Sequence, residues 1–413
     1  MGIIKQIIGQ KGFYIAFFII ICLYGIILRM KSVPLAFSYA LYLTCIIYTI
    51  FKLLERGTDK KKKSDVSIIL FFFVYYFVSG LFYTLFSNLE SDSWLIKDYL
   101  YSLLPILFYI VIRVSKTQIN AQYLLFISWL TVLITDVIAL VLLINPSFFR
   151  LFDQNLIEHE GLAFVLWGLG GVIQTGFLSL IGFAICLLSP IRLNRLLIVV
   201  SALFFVICVF LTGQRTPIGG VIIVFIIFLF RYRIKAVFPT IAVVSVFCIL
   251  LPRLSKIEIQ GVTIIETMSE RMLNRFSNLE EGQTGRNHQY RIYNDDNLFE
   301  FVLGDGVGRH SQENYYSKTP LPDAMIFRIF NEMGIVGLIV FLLFFLINIL
   351  RAIRTRNAFT FALVTYFFMA NCFNRVLFTA PMSILPFVLM AYFNWNSISE
   401  NNSTRQNTFL AYK

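Results

Sequence analysis

The chain has 413 residues, 58% of them hydrophobic and 16% aromatic, with a mean hydropathy of +0.76. Only 14% are charged, yet the formal net charge is +12. This composition excludes a soluble globular domain and defines an integral membrane protein. The basic residues gather at alternate helix connections, which argues against nucleic acid as the partner of the positive charge.

A helix needs about 20 apolar residues to cross the hydrocarbon core with its backbone polar groups bonded internally. Runs of this kind are expected at 13–29, 33–51, 67–86, 98–113, 121–144, 164–189, 196–212, 217–230, 236–251, 324–350, 358–374 and 378–394. The fold class is therefore an all-α polytopic membrane protein of about twelve spans. It divides into N-terminal spans (1–251), one large polar loop (252–323), C-terminal spans (324–394) and a tail (395–413). Gly168, Gly170, Gly171 and Gly176 make the sixth span the most easily broken. The first apolar run has no small-residue cleavage site after it, so it reads as an uncleaved span.

Basic residues cluster at Lys52, Arg56 and Lys60 to Lys63, at Arg113 and Lys116, and at Arg192 and Arg195. Further clusters follow at Arg231, Arg233 and Lys235, and at Arg351, Arg354 and Arg356. By the positive-inside rule both termini lie in the cytoplasm and the large loop lies outside. Lys60 to Lys63 read as a solvated loop drawn to anionic headgroups. Cys22, Cys45, Cys186, Cys208, Cys248 and Cys372 all fall in expected spans without a C-x-x-C pair. Disulfides in the loop and a zinc site are not expected. No internal repeat points to an inverted-repeat transporter.

Within the loop, Ile265, Met268, Met272, Phe276 and Leu279 recur every three or four residues, predicting an amphipathic helix on the bilayer surface or capping the bundle. A second helix is expected over about 287–302, ending at Gly304, where GDGVG makes a turn. That glycine alternation lacks the βαβ context a nucleotide fold requires.

Several residues could carry chemistry. Arg215, in LTGQRTPIGG, lies in a very short external connection, either snorkelling to the interface or aimed at a phosphate through its planar fork. Pro217 suits the start of the next helix. Arg286, Arg291 and Arg309 add cations to the loop, and Arg375 in FNRVLFTAP is a further candidate phosphate ligand. His288 and His310 are ambiguous, and with no metal-ligand spacing present neither a metal nor a cofactor is expected. Asp323, just before a span, either accepts a proton or caps the helix, and the two readings stand side by side. Glu332 follows Arg328 at i, i+4 and reads as structural. Asp136, mid-span in TVLITDVIAL, is a functional candidate because a charge at lipid depth is costly.

Three segments carry a family resemblance. LTGQRTPIGG, TGRNHQYRIYNDDNLFEFVLGDGVG and PDAMIFRIFNEMGIVGL resemble, in order and placement, motifs of the O-antigen polymerase and ligase superfamily. These are membrane glycosyltransferases that use polyprenyl-diphosphate-linked sugars. The resemblance spans roughly the second half of the chain. It implies a bundle similar to the C-type glycosyltransferases, with the large loop in the periplasm of a bacterial inner membrane. It implies polymerisation of undecaprenyl-diphosphate-linked repeat units into O-antigen or a related polysaccharide, by inverting transfer without metal or nucleotide. Arg215 and Arg286 match the family pattern and take a diphosphate-binding role from it, while Arg291 and Arg309 join them by proximity. Ligases typically present His where this chain has Asp323, which fits polymerases better, and Ala324 replaces the usual Asn. The implied partners are lipid-linked donor and acceptor glycans and membrane lipid, together with a chain-length regulator and a flippase. The competing readings are an O-antigen ligase of the same superfamily and a transporter of lipid-linked glycans.

Overall fold

In the computed structural model, the described residues are 12–23, 34–58, 63–86, 93–117, 119–144, 172–212, 215–232, 258–259, 262–263, 298–304, 325–373 and 383–395. They are overwhelmingly helical. The helices are α1 (Gly12–Ile21, running into a π-helical turn at Ile19–Leu23), α2 (Leu35–Leu54), α3 (Ser64–Phe86) and α4 (Ser93–Val114). There follow α5 (Ala121–Ile144), α6 (Val172–Leu188), α7 (Arg195–Leu211) and α8 (Arg215–Tyr232). The last are α9 (Leu298–Leu303), α10 (Met325–Arg354), α11 (Ala358–Phe373) and α12 (Ile384–Trp395). In the large loop, β1 (Glu258–Ile259) pairs antiparallel with β2 (Val262–Thr263), a short hairpin that the apolar pattern does not announce.

Among the described residues, three helices are long and apolar enough to cross a bilayer, over Ser64–Leu81, Ala121–Val141 and Met325–Arg354. Shorter apolar helices coincide with the other expected spans, except 236–251, which lies outside the described residues. Their free faces suit acyl chains. On α10, Ile339, Leu342, Leu346, Leu350 and Ile353 form an exposed stripe, and on α3, Leu70, Val74, Phe77, Val78 and Leu81 form another. Apolar belts of this length have no favourable contact with water, whereas a helix with internally satisfied backbone tolerates lipid along its whole side.

Packing groups the chain differently from its topology. One unit takes residues 1–52 and 118–287, and the other takes 53–117 and 288–413. In the first, α6 packs along α7, and α5 and α8 flank α6. Asn120 opens α5 by accepting from the backbone N–H of Gln122 at 2.9 Å, and Asn194 opens α7 by accepting from Leu196 N–H at 3.0 Å. Each side chain satisfies a donor that has no partner within its helix.

In the second unit α10 is the axis, packed on α3, α9, α11 and α12, and α4 lies along α12. Its core is aromatic: Tyr109, Phe344, Phe367 and Phe387 meet at centroid separations of 5.1 to 6.1 Å. Near one end of this core a polar network joins four helices. Arg113 donates from Nε and Nη2 to Asp65 at 2.6 and 3.0 Å, and Tyr109 donates to the same carboxylate at 2.9 Å. Asn348 Oδ1 accepts from Asn394 Nδ2 and Trp395 Nε1, each at 3.0 Å. The Arg113 and Arg351 guanidiniums lie 4.4 and 5.0 Å from the Trp395 ring centroid, where the ring quadrupole attracts them. Arg113, counted in the sequence among the basic residues that cluster at a helix connection, is 4% exposed. Burial is sustainable because its charge is met bidentately by Asp65.

Candidate functional site

The structure places Arg215 as the first residue of α8, after a turn in which the Thr212 hydroxyl donates to Val209 O at 2.6 Å. The connection from α7 is as short as the sequence implies. Pro217, in the first turn of α8, packs where a Cβ on Gly176 of α6 would sit, so α6 and α8 approach closely there. Asp323, Arg286, Arg291, Arg309 and Arg375 lie outside the described residues, as do His288, His310 and the expected amphipathic helix over 265–279.

The most distinctive geometry belongs to two segments that the sequence places far apart. One is FVLG, closing α9, and the other is NEMG, inside α10. Gly304 ends α9 with φ +81°, the left-handed position that glycine adopts freely just past a helix. Gly334 interrupts α10 with φ 62° and ψ −167°, a conformation essentially confined to glycine. The two backbones lie directly against each other. A Cβ on Gly304 would collide with the backbone of Glu332, Met333 and Gly334, and one on Gly334 would collide with Val302 and Gly304. Phe301 meets Phe330 edge-on at 5.6 Å beside this contact.

Ending a helix frees carbonyls that must find donors. Tyr75 of α3 supplies one. Its hydroxyl lies 2.8 Å from Leu303 O at the end of α9 and 3.2 Å from Met333 O at the break in α10. One phenol thus serves both helix ends and ties the end of α9, within the large loop, to α10.

The segment of α10 before the break carries the unit's second buried ion pair. Arg328 Nε donates to Glu332 Oε1 at 3.1 Å, with the two side chains 8% and 1% exposed. The expectation that Glu332 pairs with Arg328 is met, and the pair is far more buried than an ordinary surface i, i+4 pair. Asn331 is buried beside it. A guanidinium held this way keeps its orientation, which suits recognition of a planar or tetrahedral oxyanion.

Asp136 of α5 sits in the other unit, wholly buried. Ser179 of α6 donates to its Oδ1 at 3.0 Å, and the Cys208 thiol of α7 lies within hydrogen-bonding reach. Its Oδ2 meets no N–H or O–H donor among the described residues. Among those residues, no group of three or more His, Cys, Asp or Glu side chains is arranged to hold a metal.

Sequence reasoning missed Tyr75, the depth of Arg328, and the Asp65 network. A tyrosine in an apolar run has no signature that distinguishes it from core. Arg328 could have been found, because a basic residue four positions into a span resists burial unless a carboxylate accompanies it. Asp65 looks like an ordinary helix-opening acid after a lysine run, and its partner is 48 residues away.

No protein-family model matches the chain, and no curated protein sequence matches it.

Proposed function

We propose that the chain is a membrane glycosyltransferase that polymerises undecaprenyl-diphosphate-linked oligosaccharide repeat units. Its site lies at the face that carries the large loop, the periplasmic face of the inner membrane, with both termini in the cytoplasm. The observation that carries this reading is the contact between Gly304 and Gly334 under Tyr75. Two of the three segments that resemble the polymerase and ligase superfamily meet there, backbone on backbone, beside the buried Arg328–Glu332 pair. Loop and span then form one site, although the sequence separates their glycines by thirty positions.

In this reading Arg215 and Arg286 hold the donor diphosphate, with Arg291, Arg309 and Arg375 contributing charge around it. An acceptor sugar hydroxyl attacks the anomeric carbon as the bond from that carbon to the diphosphate oxygen breaks. The hydroxyl proton passes to Asp323, undecaprenyl diphosphate departs, and the anomeric configuration inverts. Charge develops on the departing diphosphate, so preorganised guanidiniums supply the main stabilisation, an effect worth about 3–4 kcal/mol for a single well-placed donor. The positioned carboxylate adds about 10²–10⁴ in rate. The reaction draws its energy from the diphosphate linkage and calls for no nucleotide or metal.

Incubating the purified chain with one lipid-linked repeat unit and resolving product length tests this. A ladder of evenly spaced products without nucleotide or metal is expected. Arg215→Ala is expected to insert normally and yield no chain growth. Folded protein that leaves its cognate repeat unit unchanged would overturn the polymerase reading.

A further inference from the structure

Asp136 is a wholly buried carboxyl group for which the proposed mechanism has no use and which, unlike Asp65 and Glu332, meets no guanidinium among the described side chains. It has no exposed surface and lies among α5, α6 and α7. The absence of a side chain at Gly182 of α6 lets Val132 of α5 and Phe205 of α7 close in on one another. The partners of Asp136 are neutral: the Ser179 hydroxyl at 3.0 Å and the Cys208 thiol. The titratable or charged residues on the packed helices are few. They are Cys186 on α6, beside Trp129; Cys208 and the distant Arg195 on α7; Tyr123 on α5; Tyr14, whose hydroxyl contacts the Asn120 backbone, and Cys22 on α1 and its π-helical turn; and Arg215, Arg231 and Tyr232 on α8, which flanks α6. Among the described side chains none brings Asp136 a cation. Arg195 lies 13 residues from Cys208, about 20 Å along the helix axis.

A lone carboxylate at this depth costs several kcal/mol unless one positive charge accompanies it. The oxygens for that charge are grouped. Ser179 Oγ lies 3.0 Å from Asp136 Oδ1 and 2.8 Å from Thr175 O, and Asp136 Oδ2 is without an N–H or O–H donor. Such a set is hard and carries a single negative charge. Oxygen ligands exclude soft metals, and a divalent ion would leave an uncompensated charge in an apolar core. We propose that Asp136, with Ser179 and the Thr175 carbonyl, forms a binding site for one monovalent cation, either a proton or a sodium ion. This site stands apart from the diphosphate chemistry and survives failure of that reading.

Infrared spectroscopy of the purified full chain in detergent tests it without requiring a reagent to reach the core. Spectra of the wild type are compared with Asp136→Asn and with Ser179→Ala, in choline chloride and in sodium chloride. In choline the wild type is expected to show the C=O stretch of a protonated carboxyl group. That band is lost in Asp136→Asn and moves in frequency in Ser179→Ala, which reads the site even if Asp136→Asn fails to fold. Replacement of the band by a carboxylate stretch in sodium identifies sodium as the ligand, and an unchanged band identifies the proton. A carboxylate stretch in choline that neither sodium nor falling pH alters would overturn the proposal. So would a band indifferent to Ser179→Ala.

Discussion

Asp65 and Asp136 are both wholly buried aspartates, one in each unit, and the protein surrounds them very differently. Asp65 receives two N–H groups from Arg113 and a hydroxyl from Tyr109, and the arginine is itself backed by Trp395. Asp136 receives a serine hydroxyl and has a thiol beside it. The first environment is closed: charge, donors and aromatic backing are all supplied from within the unit. In the second, one carboxyl oxygen meets no N–H or O–H donor and no cation is present among the described side chains. The lesson is that burial alone does not mark a functional carboxylate. What marks it is burial without internal compensation, because folding gains nothing from such a group and something else must retain it.

The largest effect is expected where compensation is most complete. Asp65→Asn should destabilise the protein by about 3–5 kcal/mol, since it strands the Arg113 guanidinium in the core. Unfolding by SDS titration in mixed micelles reads this directly. The double variant Asp65→Leu with Arg113→Met should recover most of the loss, because the desolvation cost of both charges disappears together. A double variant no better than the single one would mean that the network's hydrogen bonds matter more than its charge.

Glu332 is the intermediate case. Its carboxylate meets Arg328 Nε at 3.1 Å rather than through a fork. Glu332→Gln keeps an acceptor oxygen and removes the charge, so a loss of about 1.5–3 kcal/mol is expected, the range for hydrogen bonds to charged groups. If the pair also orients Arg328 for substrate, polymer yield should fall further than the folded fraction does. Equal falls would make the pair structural.

How much of this was legible in the sequence depends on how far apart the cause and its signal lie. The apolar helices were readable because hydropathy sums over about 20 neighbouring residues, and α3, α5, α7, α8 and α10 begin within a few residues of the positions expected for spans. Gly304 was readable as a helix end because the following D-G-V-G signals a turn locally. Gly334 was not. It lies in an apolar run that reads as one span, and its break exists because α9 presses its backbone there from a distant part of the chain. The Asp65–Arg113 pair was hidden for the same reason, and Arg113 was read as one of a basic cluster at a helix connection. The start of α8 was legible because Pro217 signals a helix start locally, and Arg215, read as part of the connection, is the first residue of that helix, whereas the loop arginines lie outside the described residues.

A neutral group that closes helix ends should rank below both ion pairs. Tyr75→Phe removes the donor shared by Leu303 O and Met333 O and leaves the ring in place. A net loss of about 0.5–1.5 kcal/mol is expected. It should be local, with faster amide exchange over Leu298–Gly304 and around Gly334 and no change near Asp65. Faster exchange throughout the unit would show that the phenol supports the whole packing rather than the loop contact.

Asp136→Asn should be the smallest of the four in sodium-free choline buffer, about 0.5 kcal/mol or less. The amide is nearly the same shape as the protonated carboxyl group expected there, keeps an oxygen to accept from Ser179, and needs no accompanying cation. A loss as large as that of Asp65→Asn would break the contrast between the two aspartates and imply a cation contributed by the chain itself. Repeating the measurement in sodium chloride sharpens the contrast. If sodium is the ligand, the wild type gains stability that the variant cannot, about 2.7 kcal/mol at a hundredfold excess over Kd. The gap between wild type and variant then opens with sodium alone. If the proton is the ligand, wild-type stability instead falls relative to the variant as pH rises at constant salt, because the folded state holds a proton that the unfolded chain releases, so the two cations separate on stability as well as in the infrared.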